Sequence, residues 1–136
     1  MKNVLHVEKT PDIQNVWRCF FKDEPIEIHE ATSFAAYEQI CTDVGLNNIQ
    51  LLVVGNDRLE PGLSGEDVVA TARAAGFRGP ILLCSSIGSA VQRQRQAGGT
   101  NTHIAQKPDA PKVFQKAAEL LGLGSPIRLV PSRTSP

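Results

Sequence analysis

The chain has 136 residues, 14 of them basic and 14 acidic, with a formal net charge of zero; 41% are apolar and 21% charged. That length carries one domain with a core of its own and excludes two ordinary ones. The balanced charge disfavours nonspecific binding to nucleic acid or an anionic membrane, and no apolar run approaches the roughly 18 residues that span a bilayer.

The first strand candidate is Val4-Leu5-His6-Val7, too short for a signal-peptide core and followed at once by Glu8 and Lys9. Thr10-Pro11-Asp12 reads as a helix start, with a capping hydroxyl and Pro at the first helical position. Ile13, Val16, Trp17, Phe20 and Phe21 then recur at helical spacing and predict one apolar face. Pro25 stops that helix, and Ile26-Glu27-Ile28 alternates as a half-buried strand. Ser33 caps a second helix carrying Phe34, Tyr37, Ile40, Cys41 and Val44, which Gly45 closes.

The run from Ile49 to Val54 is apolar apart from Gln50, as a central parallel strand covered on both faces requires. Ser64 or Gly65 opens a third helix with Val68, Val69, Ala72 and Ala75 inward, and Gly76 ends it. Ile81-Leu82-Leu83-Cys84 is a fourth strand, followed by a Gln/Arg-rich helix over about Ser89 to Ala97. Thr102-His103-Ile104-Ala105 is a fifth strand. A last helix over about Asp109 to Leu121 buries Val113, Phe114, Ala117, Leu120 and Leu121. Cys19, Cys41 and Cys84 have no metal-ligand spacing and sit in apolar contexts, which predicts reduced core residues of a cytoplasmic protein.

Five strands alternating with five helices imply right-handed crossovers and a doubly wound parallel sheet between two helical layers, an α/β/α sandwich. Residues 1–122 form this domain. Residues 123–136 turn to Gly, Ser, Pro and Arg without a period and are expected to be a flexible tail. In such a sheet the chemistry belongs at the carboxyl ends of the strands. Glu8 and Lys9 follow the first strand, Asp57 the third, Ser85 and Ser86 the fourth, and Lys107 the fifth. Four separated segments thus bring a carboxylate, a hydroxyl and an amine to one end. Asp57 also opens Asp57-Arg58-Leu59-Glu60-Pro61-Gly62-Leu63-Ser64-Gly65, a pattern that equally fits a plain turn through Pro61-Gly62.

From Lys2 to Leu121 the chain resembles the receiver domains of two-component response regulators, a flavodoxin-like, CheY-like (βα)5 fold. The resemblance rests on several landmarks in order: Val7 to Ile13 as an acidic loop and helix start, Asp57 with Pro61 and Gly65, Pro80 to Ser86, Ala97-Gly98, and Lys107-Pro108. It implies that Asp57 accepts a phosphoryl group, with Ser85 hydrogen-bonding a phosphoryl oxygen and Lys107 placing its ammonium there. It implies a sensor histidine kinase or phosphotransfer protein as donor, a downstream protein as partner, and no catalysis beyond self-phosphorylation. Read as a stand-alone receiver, it is expected to give its output through protein contacts, with a homodimer through the fourth helix, fifth strand and fifth helix as one candidate. Arg93, Arg95, His103, Gln106 and Lys112 would make that face polar and mildly basic.

Two departures bear on the function. Receivers carry two acidic residues after the first strand, the second of which ligates Mg²⁺; the corresponding residues are Glu8 and Lys9. An ammonium in place of a carboxylate removes an oxygen and adds like charge. Glu8 and Asp57 against Lys9 and Lys107 sum to zero without a metal. Mg²⁺ binding at Glu8 and Asp57 is therefore expected to be weak or absent, with Lys9 partly filling the metal's electrostatic role or pointing to solvent. Ile104 stands where receivers carry a switching aromatic, so any readout is altered. The competing reading is a pseudo-receiver, an unphosphorylated protein-interaction module. A flavodoxin-like cofactor enzyme is disfavoured, because Glu8-Lys9-Thr10-Pro11 lacks the glycines of a phosphate loop.

Overall fold

The computed structural model describes residues 2–55, 59–85, 101–106 and 110–123, with Ser85, 104–106 and 110–112 described by their backbone. The elements are β1 (Lys2–Val7), α1 (Pro11–Phe21), β2 (Ile26–Ala31), α2 (Phe34–Ile40), β3 (Leu51–Gly55), α3 (Gly65–Ala74), β4 (Ile81–Ser85), β5 (Thr102–Gln106) and α4 (Ala110–Leu120). The strands form one parallel sheet in the order β2-β1-β3-β4-β5. The expected helix at Ser89 to Ala97, with Arg93 and Arg95, and the tail from 124 lie outside the described residues. No described helix is long and apolar enough to cross a membrane.

Side chains alternate across the sheet and build two cores. Leu5, Val7, Leu52, Val54, Ile81 and Leu83 face α2 and α3, packing on Tyr37, Val68, Val69 and Ala72. Val4, Leu51, Val53, Leu82 and Cys84 face α1 and α4, packing on Trp17, Phe21, Val113, Phe114 and Ala117. All five residues of β3 are buried, as its unbroken apolar run requires. Trp17 anchors the second core, with its ring 4.8 Å from Phe114 and 5.2 Å from the buried His6. α3 and α4 both end in a left-handed glycine, Gly76 at φ +96° and Gly122 at φ +70°. In each, the amide two residues past the last turn bonds back into the helix, Phe77 N to Ala72 O and Leu123 N to Ala118 O, both at 3.0 Å.

Four sequence expectations change. The face of α1 is rotated: Gln14, Trp17 and Phe21 are buried, whereas Val16 is 48% exposed. Gln14 is drawn inward because its amide has backbone carbonyls to satisfy. Thr10 precedes α1, but its hydroxyl caps nothing; Ile13 N donates instead to Thr10 O at 3.1 Å, and Pro11 has no N–H to offer. Of the cysteines only Cys84 is buried; Cys41 is half-buried and Cys19 lies exposed on α1. α2 also ends earlier than expected, its last turn widening to a π-helical turn over Cys41–Gly45.

Candidate functional site

Strand register brings the carboxyl ends together. Val7 at the end of β1 pairs with Val54, Gly55 at the end of β3 pairs with Cys84, and Ser85 at the end of β4 pairs with Gln106. Asp57 stands two residues beyond Gly55 and Lys107 one beyond Gln106 in sequence; both lie outside the described residues, as does Ser86. Ser85 is described by its backbone, which places it next to β5 at this end of the sheet.

Glu8 is the site residue that the structure describes most fully. It is 3% exposed, directly after β1. Its Oε2 accepts from Thr10 N at 3.1 Å, closing the loop onto the start of α1. Its amide donates to Ala31 O at 2.9 Å and its carbonyl accepts from Gln14 Nε2 at 2.8 Å. The carboxylate rests on the end of β3: a Cβ at Gly55 would collide with Glu8 Oε1 and come within 3.0 Å of Cδ. Gly55 is thus the residue that lets a buried carboxylate sit between two central strands.

Lys9 is exposed and makes no ion pair with any described residue. Nothing described holds its ammonium over Glu8. Of the expected Mg²⁺ ligands, Glu8 and Asp57, only Glu8 falls among the described residues. Among the described residues no three His, Cys, Asp or Glu side chains group as a metal site. Among the described residues Glu8 supplies the one buried carboxylate, with one oxygen already engaged by a backbone N–H, and Mg²⁺ demands near-octahedral oxygen.

The segment after Asp57 forms a tight turn. Leu63 N donates to Glu60 O at 2.9 Å around Pro61 and Gly62, whose φ of +81° suits the left-handed position of a type II turn. Ser64 N then donates to Asp67 Oδ2 at 2.8 Å as α3 begins. Two contacts were not legible in the sequence. Gln14 Nε2 bridges the carbonyls of Glu8 and Ala31, at 2.8 and 3.5 Å, and Glu60 Oε2 accepts from Phe34 N at 3.1 Å. The signal for Gln14 was a polar residue three before Trp17; Glu60 left none, since its partner lies 26 residues away.

On β5, His103 pairs with Leu82 and Ile104 with Leu83. The His103 ring meets Asn101 Oδ1 at 3.1 Å. Burial, then the nearby Lys116 and Arg73 cations, push its imidazole below the ordinary value.

No family model matches the sequence, and no curated protein matches it. Solved structures do. The receiver domain of NtrX from Brucella abortus superposes with a TM-score of 0.72 at 18% identity, over 88% of this chain and 98% of that one. The chemotaxis protein CheY4 of Vibrio cholerae gives 0.70 at 18%, covering 89% and 98%. The response regulator TrrA from Thermotoga maritima, solved in complex with Mg²⁺ and BeF, gives 0.69 at 18%, covering 88% and 99%. The chain therefore has the CheY-like fold of response-regulator receiver domains.

Proposed function

We propose that this chain is a divergent receiver domain of two-component signalling, with Asp57 as its phosphoacceptor and protein contacts as its output. The observation that carries the reading is the register at the carboxyl end of the sheet. It sets the ends of β1, β3, β4 and β5 side by side, with the buried Glu8 against Gly55. Asp57, Ser85 and Lys107 follow or close those strands, which is where an open α/β sheet binds its ligands.

The chemistry requires no separate base. The Asp57 carboxylate attacks the phosphorus of a phosphohistidine or an acyl phosphate; the new O–P bond forms as the bond to the leaving nitrogen or oxygen breaks, and the leaving group departs with the bonding pair. Lys107 offsets the charge on the phosphoryl oxygens, and Ser85 donates a hydrogen bond to one of them. The donor is a sensor histidine kinase or a phosphotransfer protein. Mg²⁺ binding is weak, because Lys9 brings no oxygen and Glu8 is partly spent on Thr10 N.

A second reading has its own support. The exposed Lys9 and the engaged carboxylate of Glu8 also suit a pseudo-receiver, a protein-binding module that is never phosphorylated. Incubation with acetyl phosphate followed by intact-mass measurement separates the two. The first reading expects one added phosphoryl group, labile at alkaline pH and absent in Asp57→Ala, with a yield that changes little when Mg²⁺ is chelated. An unlabelled wild-type chain under all conditions establishes the second.

A further inference from the structure

Glu60 has a task that the phosphoacceptor pattern does not assign. Its carboxylate reaches across to the start of α2 and accepts from Phe34 N at 3.1 Å. The first turn of α2 carries no acid of its own, and a helix start favours a negative charge. Ser33 Oγ takes Ala36 N at 3.1 Å, leaving the Phe34 amide to be met from another segment.

The same short stretch is fixed in two further ways. Leu59 is 7% exposed and belongs to the core that also holds Tyr37, with Phe34 and Leu63 packed against it. Leu59 N and Glu60 N both donate to Leu63 O, at 2.9 and 3.3 Å. The residues just past Asp57 are therefore held by a turn, a core contact and one charged cross-link. Gly55 is fixed in the sheet on the other side, and the four residue steps from Gly55 to Leu59 reach about 14 Å at most. Whatever fixes Gly55 and Leu59 limits the span between them.

We propose that Glu60 is a positioning residue: by tying the segment after Asp57 to the amino end of α2, it sets the acceptor loop for phosphoryl transfer. Its consequence for transfer rests on the phosphoacceptor reading; the tie itself does not.

The test uses the full chain as wild type, Glu60→Gln and Glu60→Ala. Two quantities are read: hydrogen exchange of the Phe34 amide and the rate of labelling by acetyl phosphate. Glu60→Ala is expected to speed Phe34 exchange about tenfold, the loss of one charge-assisted bond, and to slow labelling per folded molecule severalfold. Glu60→Gln keeps an accepting oxygen and is expected to retain most of both. Unchanged Phe34 exchange in Glu60→Ala overturns the proposal, as does faster exchange with an unchanged labelling rate or a Glu60→Gln variant as impaired as Glu60→Ala. A wild-type chain that takes no label sinks the phosphoacceptor reading instead, and the Phe34 amide still decides the tie.

Discussion

The two ends of the sheet are held by opposite means. At the amino ends of β4 and β5 one side chain closes the structure. The Arg73 guanidinium donates to Phe77 O at 2.9 Å, Gly79 O at 2.8 Å, Asn101 O at 2.9 Å and Thr102 Oγ1 at 3.1 Å. It also lies 5.6 Å from the centroid of the Phe77 ring. A planar fork of fixed donors stitches α3 to both strand starts. At the carboxyl end, among the described residues, separate sets of contacts hold separate loops: Gln14 and Glu8 fix the loop into α1, and the turn at Leu63, the buried Leu59 and Glu60 on Phe34 N fix the segment before α3. An end saturated by one rigid cation serves stability. Function concentrates on separately held loops over a rigid frame.

The comparison breaks most readily at Arg73. Arg73→Ala strips three carbonyls and a hydroxyl of a charged donor, and a loss of about 2–3 kcal/mol is expected by urea denaturation. Arg73→Lys should recover little, because a single ammonium cannot reproduce the fork. Phosphoryl labelling per folded molecule should stay at the wild-type rate in both.

At the other end, Gln14→Ala is expected to cost about 1–2 kcal/mol, since the carbonyls of Glu8 and Ala31 lose their buried donor. Unlike the Arg73 variants it should also change the labelling rate, because the carbonyl it frees is that of Glu8.

A smaller effect is expected at Gly55. Gly55→Ala drives a methyl into the Glu8 carboxylate, the movable end of a side chain. Its cost should largely vanish in the Glu8→Ala background, giving a coupling of about 1 kcal/mol in a double-mutant cycle. Strict additivity would show that the two residues do not share that space.

The smallest effect concerns His103. An imidazole held below its unfolded value binds protons more weakly in the folded state. Its stabilising contribution is therefore present at higher pH and is lost as pH falls below about 6.5 toward the lowered folded value. His103→Gln should flatten that part of the stability profile relative to wild type, and identical profiles would contradict the assignment.

Much of the frame was legible because its signals are local. The apolar run of β3, the alternation of β2, Ser33 before α2 and the closing Gly76 each announce an element within a few residues. Val16 misled because hydropathy ranks it above Gln14, whereas a buried amide with carbonyl partners outweighs an isopropyl group at a helix edge. Cys19 misled in the same way, since apolar neighbours in sequence do not fix which side of a helix faces out. Arg73 and Glu60 were silent as structural ties, because their partners lie up to 29 and 26 residues away. The gathering of the strand carboxyl ends was readable for the opposite reason: it follows from the parallel topology rather than from any one residue.

The central claim is that phosphoryl chemistry occupies the carboxyl end of the sheet and leaves the amino end untouched. Backbone amide shifts of the full chain, recorded before and after addition of acetyl phosphate, test it most directly. The expected result is movement at Glu8, Lys9, Thr10, Ser85 and Gln106, abolished in Asp57→Ala, with Arg73, Gly79 and Asn101 unmoved. Shifts centred on the Arg73 end, or shifts that persist in Asp57→Ala, would contradict it.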